Sequence, residues 1–328
     1  MTEDKLLQEG DLNQRSTNKT KAAKIAMSAA FFLAVIKAVV GFMTGSLSVL
    51  ASAVDSILDI ISSFFNFLAI KKAEQPADTD HQFGHGKYES LAAFIQSLII
   101  LGAGITILIS AWNKFSSGEQ ESFSMANIWV MLVSVIVTIC LTVYLRYTAK
   151  KENSAALEAD CAHYAADLYT NIGILIALAL MKITGLSFID PLIAALAAVY
   201  IIYSALKLSV NVSKILLDSR VEEETYKKLI SVLESFDGYH KDFHRLRTRS
   251  SGHEKFIDMH MTLCSKLTLG EVHKIIDEIE EAIKREIPDA DITIHPEPCN
   301  HEEEGYDHSG CNSDRVKAGI QSLSARVS

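Results

Sequence analysis

The sequence predicts a membrane domain of six α-helices followed by a small cytosolic α+β domain, and three observations predict it. Hydrophobic residues make up 49% of the 328 positions, but they crowd into the first two thirds of the chain. Six stretches there, near 26–45, 48–70, 90–112, 126–147, 157–181 and 189–210, match the ~20 mostly apolar residues that a spanning helix needs. After about Asp218 the sequence turns charged and ordinary, with the short periods of a soluble fold.

Residues 1–22 hold acids, amides and lysines without an apolar core, so they read as a polar cytosolic N-terminus and not as a secretory or targeting peptide. Gly41 and the Thr44-Gly45-Ser46 turn separate the first two helices, and Ser116-Ser117-Gly118 follows the third. Asp190-Pro191, after a short hairpin at Gly185, opens the sixth, because proline costs nothing in the first helical turn. The membrane domain is therefore expected over 23–214.

In 215–299 an amphipathic helix is expected over 221–236. Residues 255–264 alternate as a strand, with Ile257, Met259, Met261 and Leu263 on one face and Phe256, Asp258, His260 and Thr262 on the other. Residues 244–249 form its partner through Ser250-Ser251-Gly252. Val272, Ile275, Ile276, Ile279 and Ile283 make one stripe of a helix over 269–286, and a last strand is expected at 291–295. Residues 300–328 read as a disordered polar tail; Cys299 just before it and its own His301, His308 and Cys311 fit no ordered zinc spacing.

Orientation follows from the short loops. Arg15, Lys19, Lys21, Lys24, Lys71, Lys72, Lys87, Arg146, Lys150, Lys151 and Lys214 fall on one side, against Lys114 and Lys182 on the other, which puts both termini in the cytosol. None of the five cysteines then faces outward, so no disulfide framework is expected. The net charge of -9 comes without a basic stripe, which argues against a nucleic-acid partner. No GxxxxGK[ST], HExxH or GxSxG string supports ATP-driven pumping or hydrolysis.

The chemistry lies in charges that a membrane helix should avoid, since each costs several kcal/mol unless paired, hydrated or metal-bound. The second helix carries Asp55 and Asp59, and the fifth carries His163 and Asp167, each pair four residues apart on one helix face. Together they offer three carboxylates and one imidazole, a tetrahedral set suited to Zn²⁺, Cd²⁺, Fe²⁺ or Co²⁺ rather than to Mg²⁺ or Ca²⁺. Asp78, His81 and His85 form a second ligand set in a short loop beside Gly84 and Gly86. Lys37 either pairs with an acid or snorkels to water, and Asp160, three residues before His163 on the cytosolic approach, reads either as an entry relay or, with more weight, as a solvated acid at a helix start.

The segments SAVDSILDIISSFFN, PADTDHQFGHGKYESLAAFIQS and EADCAHYAADLYTN resemble the cation diffusion facilitators, most of all their bacterial ferrous-iron and zinc efflux branch, over about residues 20–299. The resemblance implies a proton-coupled homodimer in the cell inner membrane, with a cytosolic domain of metallochaperone-like, ferredoxin-like fold. By it Asp55, Asp59, His163 and Asp167 are the transport site, and Asp78, His81 and His85 a cytosol-facing site. It also makes His244, His260, His273 and His295 ligands of a binuclear site at the dimer interface, and Lys87 with Asp218 an inter-subunit charge interlock. Where its members commonly read His-x-Asp-Pro, this chain reads His295-Pro296-Glu297-Pro298, so Glu297 supplies the oxygen.

Carboxylates must be ionised and the imidazole neutral to bind metal, so protons compete with the ion, and His163 is the natural titrating partner. The expected function is outward antiport of a divalent transition-metal ion against protons. The alternative is a membrane metal receptor or scaffold that binds the ion without moving it.

Overall fold

The computed structural model describes residues 3–44, 47–117, 125–184, 186, 188–237, 239–240 and 242–299, and at 3–16, 44, 47–51, 54–55, 125–127, 178 and 182 the backbone alone. The chain divides into two units after Leu216. The expectations for Gly45, Ser46, Gly118, Gly185 and the tail from 300 to 328, His301, His308 and Cys311 included, lie outside the described residues.

The first unit is a helical bundle of α1 (Glu3–Thr44), α2 (Leu47–Ala73), α3 (Lys87–Ser117), α4 (Met125–Glu152), α5 (Ala155–Thr184) and α6 (Ile189–Leu216). Five stretches among the described residues are long and apolar enough to cross a membrane: Thr17–Met43, Lys87–Ser117, Ile128–Glu152, Ala155–Met181 and Ile189–Leu216. The sixth helix, α2, is 27 residues long and carries Asp55 and Asp59. Large apolar side chains such as Phe31, Phe65, Ile136, Leu196 and Tyr203 point outward, while Ala22, Ala26, Leu145, Leu157 and Ile201 fill the interior. That inversion suits helices solvated by lipid, where association relies on close packing of small residues. At Gly104 of α3 an added Cβ would lie 2.8 Å from Ile202 Cγ1 of α6, so the two helices meet closely there.

The sequence leads one to expect the first helix near residue 26, yet α1 is already helical at Glu3. Three polar side chains just ahead of residue 26 are partnered. Asn18 Nδ2 donates to Glu152 Oε1 at 2.9 Å, Lys19 Nζ to Glu89 Oε1 at 3.2 Å and Thr20 Oγ1 to Glu74 Oε2 at 3.3 Å. These bonds tie α1 to α4, to α3 and to the chain just after α2.

The second unit begins at Leu217 and contains α7 (Glu223–Ser235), β1 (Asp242–Ser251), β2 (Glu254–Leu263), α8 (Leu269–Glu286) and β3 (Ala290–Pro298). The sheet order is β1-β2-β3, with β1 antiparallel and β3 parallel to β2, so α8 is the crossover. The alternation read from the sequence appears here: Ile257, Met259, Met261 and Leu263 are buried under Ile275, Ile279 and Ile283 of α8 and Leu229 and Leu233 of α7. Thr268 caps α8 in a reciprocal box with Glu271. Between His244 and Arg247 the β1 ladder carries a bulge, with Arg245 at φ 51.

Candidate metal sites

Three clusters of ligand-type side chains form among the described residues, each offering atoms within 4.8 Å of one another: Asp59, His163 and Asp167; Asp78, His81 and His85; and His244, His260 and Glu297.

The first lies inside the helical bundle. As numbers rise along α2 from Asp59 through Ser63 to Asn66, partners on α5 run from His163 and Tyr164 back to Asp160, so the helices run antiparallel. His163 Nε2 lies 2.9 Å from Asp59 Oδ1 and 3.9 Å from Asp167 Oδ2. All three are half-buried, so one imidazole and two carboxylates converge in a setting of low dielectric. Asp55 lies one turn before Asp59 in α2, and its side chain is outside the described residues. The neighbourhood contains partners that hydropathy does not reveal. Ser63 and Tyr164 Oη are 2.9 Å apart, Tyr164 Oη donates to the Ala26 carbonyl at 3.4 Å, and Lys37 Nζ donates to Ser56 Oγ at 2.8 Å. Lys37 thus finds a hydroxyl where the sequence suggests an acid or water. Asp160, read from sequence as solvated, is fully buried and accepts from Asn66 Nδ2 at 2.6 Å.

The second cluster occupies the loop from α2 to α3. Asp78 Oδ1 accepts from the backbone N–H of His81 at 2.7 Å and of Asp80 at 3.0 Å, which folds the loop back on itself, and Gly84 takes φ 73. The His81 N–H is the chief reason the Asp78 carboxyl stays below its ordinary range, so it is ionised and ready as a ligand. His85 is buried. Its Nδ1 lies 3.3 Å from the Gln75 carbonyl and 3.2 Å from that of Pro76, and an N–H there leaves Nε2 with a bare lone pair. That nitrogen is 3.1 Å from Asp78 Oδ2, and the His81 and His85 rings are 4.5 Å apart. With Nε2 bare, the two atoms are spaced to hold a cation between them; with Nε2 protonated, they form an ion pair.

The third cluster uses the register of the sheet. His244 pairs with His260 and His260 with His295, so the three imidazoles cross the sheet in one row. Glu297 bridges them, with Oε1 2.7 Å from His260 Nδ1 and Oε2 3.2 Å from His244 Nε2. The hydrogen bond from His260 is the main reason its carboxyl lies below the usual range. The His260 and His295 rings are 4.9 Å apart. His273 is not brought to this row within the chain: it is exposed on α8, with Nδ1 3.5 Å from Asp277 Oδ1. Lys87 Nζ reaches the Leu216 carbonyl at 3.5 Å, and Asp218 lies 3.7 Å from Arg249.

Residues 23–217 match the cation efflux transmembrane domain, and residues 221–299 the cation efflux protein cytoplasmic domain. The cation-efflux pump FieF of Pectobacterium atrosepticum is 38% identical over 279 residues, which cover 85% of this chain and 92% of that protein. FieF of Serratia proteamaculans is 38% identical over 284 residues, covering 87% and 94%. Among solved structures, the metal-bound C-terminal domain of the CzcD transporter from Thermotoga maritima is 29% identical, covering 25% of this chain and all of that one, with a TM-score of 0.23.

Proposed function

The chain belongs to the cation diffusion facilitator family, whose members are divalent-metal efflux transporters and not enzymes, and from that premise we propose that it exports Zn²⁺, and also Fe²⁺, Cd²⁺ or Co²⁺, from the cytosol in exchange for protons. The reading places it as a homodimer in a bacterial inner membrane with both termini in the cytosol. One observation carries it: Asp59 of α2 meets His163 and Asp167 of α5 inside the bundle, with ligand atoms within 4.8 Å of one another. A mixed nitrogen and oxygen set favours borderline ions.

In the proposed cycle Asp59, His163 and Asp167, with Asp55 as fourth ligand, strip most of the water from M²⁺ while the site opens inward. Each ligand must release or lack a proton to bind, so capture expels protons and re-protonation on the outer side expels the ion. The inward proton gradient thereby drives metal outward. The Asp78, His81 and His85 loop would gather cytosolic metal. Metal on His244, His260, His295 and Glu297, with His273 completing the set across the dimer, would favour the transporting conformation. The Lys87–Asp218 interlock would hold the two protomers together at the membrane surface.

The test is flux in lipid vesicles with a metal-sensitive dye inside and an imposed pH gradient. Wild type should accumulate Zn²⁺ only with the gradient, and Asp59→Ala or Asp167→Ala should abolish it. Zn²⁺ binding without any flux in the wild type would instead mean a receptor or scaffold. Running Zn²⁺, Fe²⁺, Cd²⁺ and Mn²⁺ in one series ranks the cargo.

A further inference from the structure

The polar face of α2 does not stop at Asp59. Ser62, Ser63 and Asn66 continue it at helical spacing, and all three meet a polar side chain of another helix. Ser62 Oγ donates to Gln96 Oε1 of α3 at 2.5 Å, Ser63 bonds Tyr164 of α5, and Asn66 bonds Asp160 of α5. Ser63, Asn66, Gln96, Tyr164 and Asp160 are all buried. For about 10 Å along α2, seven residues at ~1.5 Å each, a seam of the bundle interior is therefore hydroxyl, amide and carboxylate.

Asp160 stands out in this seam. It is 0% exposed, yet a single neutral amide is its only hydrogen-bond partner among the described residues, and Oδ2 has none. A buried carboxylate is costly without a cation. Tying α2 to α5 does not need that charge, because an amide at position 160 could make the same bond to Asn66. The charged groups nearest along the chain are Glu158, exposed on the first turn of α5, and His163, one turn further into the bundle. The pair lies about 4.5 Å of helix rise from His163, toward the N-terminus of α5.

We propose that Asp160 and Asn66 form a second, transient binding station for a partly hydrated divalent cation, one turn before the Asp59, His163 and Asp167 cluster on its route from the α5 N-terminal side. This rests on the reading of that cluster as the transport site. Asp160 offers its carboxylate, and Asn66, whose Nδ2 faces Asp160, offers an amide oxygen once its amide turns over, a hard donor set that leaves most of the hydration shell in place. The station therefore attracts divalent ions without choosing among them, and the choice falls to His163.

The test uses the full chain, in vesicles for Zn²⁺ and Mn²⁺ flux and in detergent for equilibrium Zn²⁺ binding. Asp160→Asn, which keeps the interhelical bond, should raise KM at least tenfold for both ions while Vmax stays within twofold. Zn²⁺ affinity and melting temperature should match wild type. The exchange variant Asp160→Asn/Asn66→Asp restores one carboxylate to the pair and should recover KM. An unchanged KM in Asp160→Asn, or an exchange variant that folds but does not recover, would reduce the pair to a structural tie and overturn the proposal. Loss of equilibrium affinity in Asp160→Asn would overturn it too, by assigning Asp160 to the transport site itself. If Asp59→Ala still transports, the reading of the cluster fails instead, and that result is separate from any outcome at Asp160.

Discussion

Replacing Lys19 with methionine would leave Glu89 as an uncompensated charge inside the bundle. Lys19 of α1 and Glu89 of α3 are 3.2 Å apart, with side chains 7% and 2% exposed, and Glu89 Oε2 has no hydrogen-bond partner among the described residues. At that separation the Coulomb attraction is about 5 kcal/mol with an effective dielectric of about 20. Desolvation cancels much of it in the intact pair, but removing one partner from a buried pair typically costs about 3–5 kcal/mol. For a bundle spanning Met1–Leu216, each kcal/mol moves the melting temperature by about 2–4 °C, so Lys19→Met should lower it by roughly 6–20 °C. The assay is thermal melting of the detergent-purified chain followed by size-exclusion. Lys19→Met/Glu89→Gln, which leaves no bare charge, should recover more than half of the loss. A single variant within about 2 °C of wild type would show that the pair behaves like a solvated surface bridge. A double variant as weak as the single would show that lost packing is responsible, and either result refutes the reasoning.

Gly104→Ala places a methyl group 2.8 Å from Ile202 Cγ1 and should destabilise the contact of α3 with α6 by about 1–3 kcal/mol. Gly102→Ala, with nothing within 4 Å, should be neutral or mildly stabilising in the same melting assay. Thr268→Ala removes the cap of α8 and should cost about 1 kcal/mol, read as faster amide exchange in its first turn. Burial, then Asp291 and Asp289, raise the Glu254 carboxyl. A raised carboxyl opposes folding above its ordinary range and has no effect below it, so Glu254→Gln should slow amide exchange in β2 and β3 at neutral pH, with the gain gone below about pH 4.

The long helices were legible because hydropathy over ~20 residues is a strong signal, and the pairing of Asp59 with His163 and Asp167 could be anticipated because carboxylates in such helices need a reason. The packing of α1 at residues 18–20, ahead of its apolar stretch, was not legible. Asn18, Lys19 and Thr20 look like an ordinary polar leader until Glu152, Glu89 and Glu74 arrive from residues 54 to 134 positions away. The burial of Asp160 was hidden for the same reason, since only the antiparallel approach of α2 supplies Asn66. Local spacing reports one helix face at a time and says nothing of the partner face. The sheet row was half legible: alternation put His260 and His295 on polar faces, but only the register joins them to His244, and leaves His273 apart on its helix.

The bulge in β1 has a mechanical consequence. His244 and Glu297 belong to strands with β2 between them, yet they meet at 3.2 Å, and an extra residue at Arg245 supplies the added bend and coil that carry one outer strand toward the other. An ion gripped by those two side chains would act as a drawstring on the sheet. On the proposed reading of this cluster, its loss would let the outer strands spread, turning metal occupancy into sheet curvature.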